Sequence, residues 1–161
     1  MNLFEHTNQE QVVAFLQTRV PQALQKIKSV HQPAWGKMTA QHMVEHLTST
    51  VLVSTILSSK PPQTPTSQQL QTKQSLLYNA ADLPRNLQNP AFQFGLPAYT
   101  NPDLETAKQK LLGSLPTFFR IYAAKPGAVS FSPFLGDLQF QEWLVFHAKH
   151  FRHHFTQFNL L

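Results

Sequence analysis

Apolar residues recur at spacings of three and four in four segments of the chain, which is the pattern of amphipathic α-helices. Thr7 or Asn8 can cap the first segment, and Pro21 removes a backbone donor inside it, so we expect a kink or a break there. The second segment runs from Thr39, a plausible N-cap, to about residue 57. Apolar residues nearly encircle this second segment, which predicts a well-buried helix. The apolar stripe of the first segment consists of Val13, Leu16, Val20, Leu24 and Ile27.

The third and fourth segments lie in the second half of the chain. The third begins at the sequence NPDLE, where Asn101 is a candidate N-cap and Pro102 suits the first helical position. Gly127 follows the end of this segment and marks a turn. The fourth segment starts near residues 137–139 and runs almost to the last residue. The apolar stripe of the third segment consists of Leu104, Ala107, Leu111, Leu115, Phe118 and Tyr122.

A stretch rich in Pro, Gln and Asn, residues 59–100, connects the second and third helices. Connections of this length are uncommon in compact domains and are often functional lids. We expect one short element within it, at QSLLYNAADLPRNL, and we expect the stretch to pack over the end of the helices that carries the candidate metal-binding histidines described below. Four periodic helices without an alternating strand pattern predict an all-α fold, a four-helix bundle in a single domain over residues 1–161.

Composition narrows the classes of function. The chain has 13 Lys and Arg against 8 Asp and Glu, a net charge of +5, but the basic residues are scattered singly. A nucleic-acid arm or a membrane-surface helix would cluster them, so we expect neither a nucleic acid nor a membrane as partner. The absence of cysteine excludes a disulfide framework and a thiolate metal site. No secretory signal and no apolar run of transmembrane length is visible, which predicts a cytoplasmic protein.

Histidine is concentrated in the fourth helix, where four of the eight histidines lie within FHAKHFRHHFTQF, residues 146–158. At about 100° per residue, His147, His150 and His154 share one face of this helix with several large apolar residues. His153 lies at the edge of that face. A buried imidazole is costly unless its nitrogens have partners. The inward arc also holds Phe140, Trp143, Phe151, Phe158 and Leu161, and the opposite side carries Glu142, Lys149, Arg152 and Thr156.

The second helix also directs histidines inward, because His42 and His46 lie four residues apart on the face that carries Val53 and Ile56. Two histidines from adjacent turns of one helix and a third from a facing helix make a three-nitrogen metal site. Such sites suit zinc, nickel, copper or iron. The alternative is that the histidines are hydrogen-bonded parts of a metal-free core. The sequence HMVEH lacks the order of residues that zinc proteases need.

Two sequence motifs resemble those of the DinB-like superfamily. They are WGKMTAQHMVEHL, and GDLQFQEWLVFHAKHFRHHFTQF near the end of the chain. More narrowly, they resemble a branch with a W-G-K-M-(S/T) entry to the second helix and an H-x2-H-H-x2-Q-F ending. The resemblance implies a four-helix bundle that holds a divalent metal ion, zinc, nickel or iron, through His46, His150 and His154. Gln157 lies where the superfamily often has a glutamine, whereas Gln139 replaces the usual Ser or Thr cap.

The resemblance also implies a range of functions. Similar proteins include metal-dependent S-transferases that use low-molecular-weight thiols and proteins described as metal-dependent hydrolases. We therefore expect a metal-dependent enzyme of one of these types, acting on a small-molecule or thiol substrate. A metal-stabilised binding or stress-response module without turnover and a metal-free interaction domain are the alternatives. The candidates for orienting or proton-handling groups are Glu45, His42, His147 and Gln157, while His153 has no assigned role.

Four phenylalanines fall outside the helical stripes. Such surplus apolar side chains can cover a site or a partner surface. We therefore expect that the chain is able to form a homodimer. The four residues are Phe92, Phe94, Phe131 and Phe134.

Overall fold

The computed structural model describes residue 3, residues 8–87, residue 89 and residues 92–161. This part of the chain is mostly helical, as the apolar periodicity predicts. No described helix is both long and apolar enough to cross a membrane. The elements in chain order are α1 (Gln9–Ala14), a π-helical turn (Phe15–Arg19), α2 (Val20–Lys26), α3 (Ala40–Ser54), α4 (Ser67–Leu77), α5 (Leu104–Ala124), β1 (Val129–Ser132), β2 (Gly136–Gln139) and α6 (Phe140–Gln157).

The first predicted helix is continuous from α1 through the π-helical turn into α2. Asn8 caps it, because its Oδ1 accepts a hydrogen bond from the backbone N–H of Glu10 at 2.7 Å. The alternative cap, Thr7, lies outside the described residues. The helix continues through Pro21, so of the expected kink or break the break is wrong. A π-helical turn ends at Arg19, two residues before this proline, and such turns accommodate local disturbances of helical hydrogen bonding.

The predicted N-cap of the third helix is wrong. Asp103 caps α5, since its Oδ1 accepts from the backbone N–H of Thr106 at 2.7 Å, and the helix begins at Leu104. Asn101 does not cap the helix. Its backbone N–H and its Nδ2 both donate to Glu45 Oε1, at 2.9 and 3.0 Å, and its Oδ1, the atom that would cap, has no partner among the described residues. Contact with another helix therefore overrides the local signal.

The predicted caps of α3 and α6 agree with the structure. Thr39 caps α3, with its Oγ1 accepting from the backbone N–H of His42 at 3.2 Å. Gln139 precedes α6, and its own N–H donates to the carboxylate of Glu142 at 3.0 Å. This backbone-to-carboxylate bond resembles half of a capping box, which explains how a glutamine can stand at this helix start.

Two elements differ from the prediction. The first is α4, an 11-residue helix that overlaps only in part the short element expected at QSLLYNAADLPRNL, residues 74–87. It starts with a capping box, because Thr66 Oγ1 accepts from Gln69 N at 3.1 Å while Gln69 Oε1 accepts from Thr66 N at 3.0 Å. The second is the antiparallel hairpin of β1 and β2, with Val129 opposite Gln139. Strands of four residues are too short to give a clear alternation of polarity.

The core lies between α3, α5 and α6, and the helix formed by α1, the π-helical turn and α2 closes it. The inward stripe of α6 is buried as predicted, except that Phe140 is only partly buried and Leu161, beyond the helix, is 48% exposed. The all-round burial expected of α3 is wrong at its end, where Leu52, Val53 and Ile56 are exposed. The largest fully buried side chains are Trp143, Phe118, Phe151, Phe155, Leu16, Leu24, Ile27, Met43, Leu47, Leu77, Leu111 and Leu135.

Lys149, predicted on the polar side of α6, is only 8% exposed. Its Nζ donates to the carbonyl oxygens of Leu76, Asn79 and Ala81 and to Asn79 Oδ1, at 2.8 to 3.0 Å. Leu76 lies in the last turn of α4, where the carbonyl groups of a helix need partners, and Asn79 and Ala81 follow the end of the helix. The ammonium group therefore joins α4 to α6. Residues 76–81 cover Lys149, so this part of the predicted polar side of α6 is buried.

Candidate metal centre

His46, His150 and His154 converge at one point between α3 and α6. The Nε2 atom of His150 lies 2.8 Å from that of His46 and 3.1 Å from that of His154. The ligand atoms of all three residues lie within 4.8 Å of one another. In a tetrahedral zinc site with Zn–N bonds near 2.0–2.1 Å, neighbouring nitrogens are about 3.3 Å apart. The three histidines therefore form a group that could hold a metal ion.

Burial keeps the three imidazoles neutral. His150 and His154 are buried and His46 is partly buried. Burial, followed by the charges of neighbouring histidines, lowers the pKa of His46 to about 4 and that of His154 to about 3. The same causes hold the pKa of His150 well below 6.5. Because metal ions bind the neutral form of imidazole, the group is ready to bind an ion at neutral pH.

Hydrogen bonding among the three rings cannot satisfy all of them. The Nε2 atom of His150 faces two imidazole nitrogens, but one ring nitrogen carries either one hydrogen or one lone pair. The Nδ1 atom of His150 is also buried and has no partner among the described residues. A metal ion at the point of convergence would accept one lone pair from each of the three rings. The rings alone cannot provide a hydrogen-bond partner for every one of these nitrogens.

Gln157 fixes the tautomer of His154. Its Nε2 donates to the carbonyl oxygen of Trp35 at 2.7 Å, so its Oε1 is the atom that lies 2.8 Å from His154 Nδ1. An amide oxygen accepts only, and His154 Nδ1 must therefore carry the proton. The lone pair of His154 is consequently on Nε2, the atom that faces the other two histidines. Histidine ligands of metal ions commonly have such a partner, which sets the ring orientation.

The loop before α3 supports this glutamine. Gly36 has a φ of +80°, and a Cβ atom at this position would lie 3.0 Å from Gln157 Nε2. The backbone N–H of Ala34 also donates to the carbonyl oxygen of Gln157, at 2.7 Å. The W-G dipeptide and the glutamine near the end of the chain thus meet in space. Their two sequence motifs were recognisable, but the contact between them was not predicted.

Replacing Gln157 with leucine is expected to weaken metal binding by about 10- to 100-fold, the usual effect of losing a partner that orients a histidine ligand. Competition between the protein and a chromophoric zinc chelator measures the affinity. Gln141→Leu is the matched control, because Gln141 is an exposed glutamine of the same helix. Gly36→Val should act in the same direction by displacing the amide. Equal zinc affinity of Gln157→Leu and the unaltered protein would contradict this role.

His42, predicted inward, lies in a different environment from His46. Its Nδ1 is 2.9 Å from Thr39 Oγ1 and its Nε2 is 2.9 Å from the carbonyl oxygen of Pro97. Its ring packs on that of Tyr99 with centroids 4.4 Å apart. The expectation that His46 rather than His42 joins the histidines of α6 agrees with this geometry. His42 instead fastens residues 97–99 to the start of α3.

Glu45, a candidate proton-handling group, is engaged in hydrogen bonds. Its two carboxylate oxygens accept from the backbone N–H groups of Thr100 and Asn101, both at 2.9 Å, and from Gln41 Nε2 at 3.0 Å. Burial raises the pKa of Glu45, but these hydrogen bonds outweigh it and lower the pKa to about 2. A carboxylate of that pKa is a weak general base at neutral pH. Its contacts fix the chain at the approach to α5.

His147, also predicted inward, belongs to the core and lies outside the converging group. Its Nε2 is 2.9 Å from Ser54 Oγ, which donates to the carbonyl oxygen of Val51 and so accepts from His147. Its ring stacks on Trp143 with centroids 5.3 Å apart. Burial lowers the pKa of His147 to about 3. The sequence left open that some of the histidines are hydrogen-bonded parts of the core rather than metal ligands. His147 is such a histidine.

The second half of the connection packs against the histidines. The ring of Phe92 is 5.4 Å from that of His46, and the carbonyl oxygen of Leu83 accepts from His153 Nδ1 at 3.3 Å. The predicted cover over the metal end is therefore confirmed for these residues, while residues 88, 90 and 91 lie outside the described part. The first half packs elsewhere, since Lys73 of α4 pairs with Glu142 of α6 at 3.1 Å.

Three of the four phenylalanines outside the helical stripes are exposed, and Phe92 is the partly buried one. Phe92 contacts the site, so it has a role besides any surface for a second copy. The exposed residues are Phe94, Phe131 and Phe134.

Comparison with known proteins adds no relative. No family model matches the chain, and no curated protein and no solved structure matches it. The two motifs remain the basis of the DinB-like resemblance, and the geometry of the three histidines is the basis for inferring a function.

Proposed function

We propose that this chain is a DinB-like metal-dependent enzyme of the thiol S-transferase type. The observation that carries the proposal is the convergence of three neutral imidazoles, with the ring of His154 fixed by Gln157. His46, His150 and His154 would hold a divalent ion, either zinc, nickel or iron. Three nitrogen ligands leave one position of a tetrahedral site open, and this is the arrangement of catalytic rather than structural sites.

The arrangement of helices supports the DinB-like part of the proposal. The helix of residues 9–26 together with α3, α5 and α6 would be the four helices of the bundle, and α4 would belong to the long connection. One histidine comes from the second of these helices and two, four residues apart, come from the fourth. This is the distribution that the resemblance implies, and the cover formed by residues 83–87 and 92–100 would enclose the site.

Thiol chemistry suits this site better than hydrolysis. A divalent ion would make a thiol or water molecule that reaches it lose its proton more readily. A free thiol has a pKa near 8.5 and needs little further help, whereas hydrolysis commonly relies on a carboxylate or another base. Among the described residues, the converging group contains no carboxylate, and Glu45 is bonded to the chain before α5.

The same lack of a free carboxylate favours a second candidate function. A metal-stabilised binding module needs the three ligands and the cover but no proton-handling group. In that case the ion would stabilise the fold by an amount that grows with the logarithm of one plus the ratio of its concentration to its dissociation constant.

Metal analysis of protein purified without a nickel column tests the proposal first. We expect close to one equivalent of a divalent ion, absent from His154→Ala. The loaded protein is then incubated with a small thiol and an aromatic chloride as electrophile, and formation of the thioether is followed by absorbance. Hydrolysis of an ester by the same loaded protein is measured for comparison. Metal-dependent thioether formation that is faster than ester hydrolysis supports the transferase, and metal binding without either reaction supports the binding module. Protein that binds no divalent ion when it is added would contradict both.

A further inference from the structure

Arg85 lies on the face of Trp35 near the candidate site. Its Cζ atom is 4.2 Å from the centroid of the indole ring. The side chain is exposed, and no carboxylate of a described residue lies within ion-pair distance of it. When a guanidinium stacks on an aromatic ring, the N–H groups at its edge stay free and can form a bidentate hydrogen bond with an anion.

Trp35 connects this arginine to the histidines. The carbonyl oxygen of Trp35 holds Gln157, and its ring lies edge-on to that of His153 with centroids 5.6 Å apart. The ring of His153 is in turn 4.9 Å from that of His154. The loop that positions the tautomer of His154 therefore also positions the guanidinium of Arg85, on the same side of the site as His153.

The charges around the site favour an anion there. Glu45 is saturated by hydrogen bonds, and Asp82, the acid that acts on His153, pairs with Arg152 at 3.6 Å. The three histidines are neutral, and a divalent ion on them would add two positive charges. Arg85 and the ion would then be two cationic points without a counter-charge from the described chain.

We propose that Arg85 binds a carboxylate of the substrate while the thiol of the same molecule reaches the metal ion. The substrate class is thus a low-molecular-weight thiol that carries a carboxylate. This inference rests on the proposed function, since it requires the metal site. The competing interpretation is that Arg85 only fastens residues 83–87 to the loop before α3, which would give no preference among thiols.

Cobalt-substituted protein offers a direct test, because a thiolate bound to cobalt gives a charge-transfer absorption band. The probes are mercaptopropionate, mercaptohexanoate and mercaptooctanoate, each compared with the uncharged mercaptoalkanol of the same chain length. For at least one length we expect the carboxylate to bind about tenfold more tightly or better, as for a charge-assisted hydrogen bond. Arg85→Gln, which keeps a planar group on Trp35, should abolish this preference and leave mercaptoalkanol binding unchanged.

Arg120→Met is the matched control, because it removes an equal charge from an exposed arginine on α5 and should leave the preference intact. Arg85→Met is a second variant in case Arg85→Gln does not fold, as judged by circular dichroism. Equal binding of carboxylates and mercaptoalkanols to the unaltered protein, or a preference that survives in the Arg85 variants, overturns the inference. Failure of the protein to bind cobalt, or of every thiol to reach it, overturns the proposed function instead.

Discussion

Replacing both His150 and His154 with alanine is expected to abolish metal binding while leaving the helices folded. The variant loses two of the three converging nitrogens and retains His46 alone on α3. Loss of an orienting partner already costs 10- to 100-fold in affinity, so loss of two ligands should exceed about a thousandfold. Metal analysis after dialysis and competition with a chelator measure this loss.

The fold should survive because the buried apolar surface of α6 does not depend on these histidines. Trp143, Phe151 and Phe155 are almost completely buried, and each contributes roughly 1.5–3 kcal/mol through apolar area. The alanines leave a cavity, which lowers the melting temperature, but they also remove a buried Nδ1 atom without a partner. We therefore expect a native helical circular dichroism spectrum with a reduced melting temperature.

The double variant His42→Ala/His153→Ala is the matched control. It also removes two histidines, one from α3 and one from α6, but it keeps His46, His150 and His154. This control should retain a full equivalent of metal. An unfolded His150→Ala/His154→Ala variant would show that these two histidines are needed for the fold itself. Retention of a full equivalent by that variant would show that other residues bind the ion.

The sequence predicted the elements whose signals are local and periodic. The 3.6-residue period located the long helices and placed His150 and His154 on the inner face of α6, because a helix repeats its geometry whatever surrounds it. It could not separate His42 from His46, since both lie on one face and differ only in which segment covers them. The match of the HL that ends WGKMTAQHMVEHL to the superfamily suggested His46, but the contact of Trp35 with Gln157, which lie 122 positions apart in the sequence, could not be read from either motif.

Two of the errors, at Lys149 and at Asn101, share one cause, which is contact with a distant segment. Lys149 has the position of a surface lysine, but residues 76–81 bring their carbonyl oxygens over it. Asn101 has the composition of an N-cap, but Glu45 of α3 binds its backbone and its side chain. A wheel or a capping rule describes one helix at a time and carries no information about these partners.

Lowering the pH from 7 to 5 is expected to destabilise the metal-free protein steeply. The cause is a set of histidines that burial keeps neutral, with the pKa of His46 near 4 and those of His147 and His154 near 3, against 6.5 for an exposed histidine. Between these values the unfolded chain binds protons that the folded chain does not. Their stabilising contribution is therefore complete above about pH 6.5 and is lost as the pH falls toward the folded values.

The size of the effect follows from the number of protons. Each histidine that is protonated only on unfolding contributes about 1.4 kcal/mol per pH unit to the slope of unfolding free energy against pH. With His46, His147, His150 and His154 the slope is up to about 5 kcal/mol per unit. Small domains are stable by about 5–15 kcal/mol in total. The metal-free protein should thus unfold within roughly two pH units below 6.5.

Urea unfolding at several pH values, followed by circular dichroism in the presence of a chelator, measures this slope. His147→Leu provides the control, because it removes one buried imidazole outside the converging group and should reduce the slope by about one proton. A divalent ion should shift the transition to lower pH, since it binds the neutral imidazoles of the folded state and competes with protons. An unfolding free energy that stays constant from pH 7 to 5 would mean that the histidines take up protons in the folded protein as readily as in the unfolded chain, which would contradict the burial-lowered pKa values on which this prediction rests.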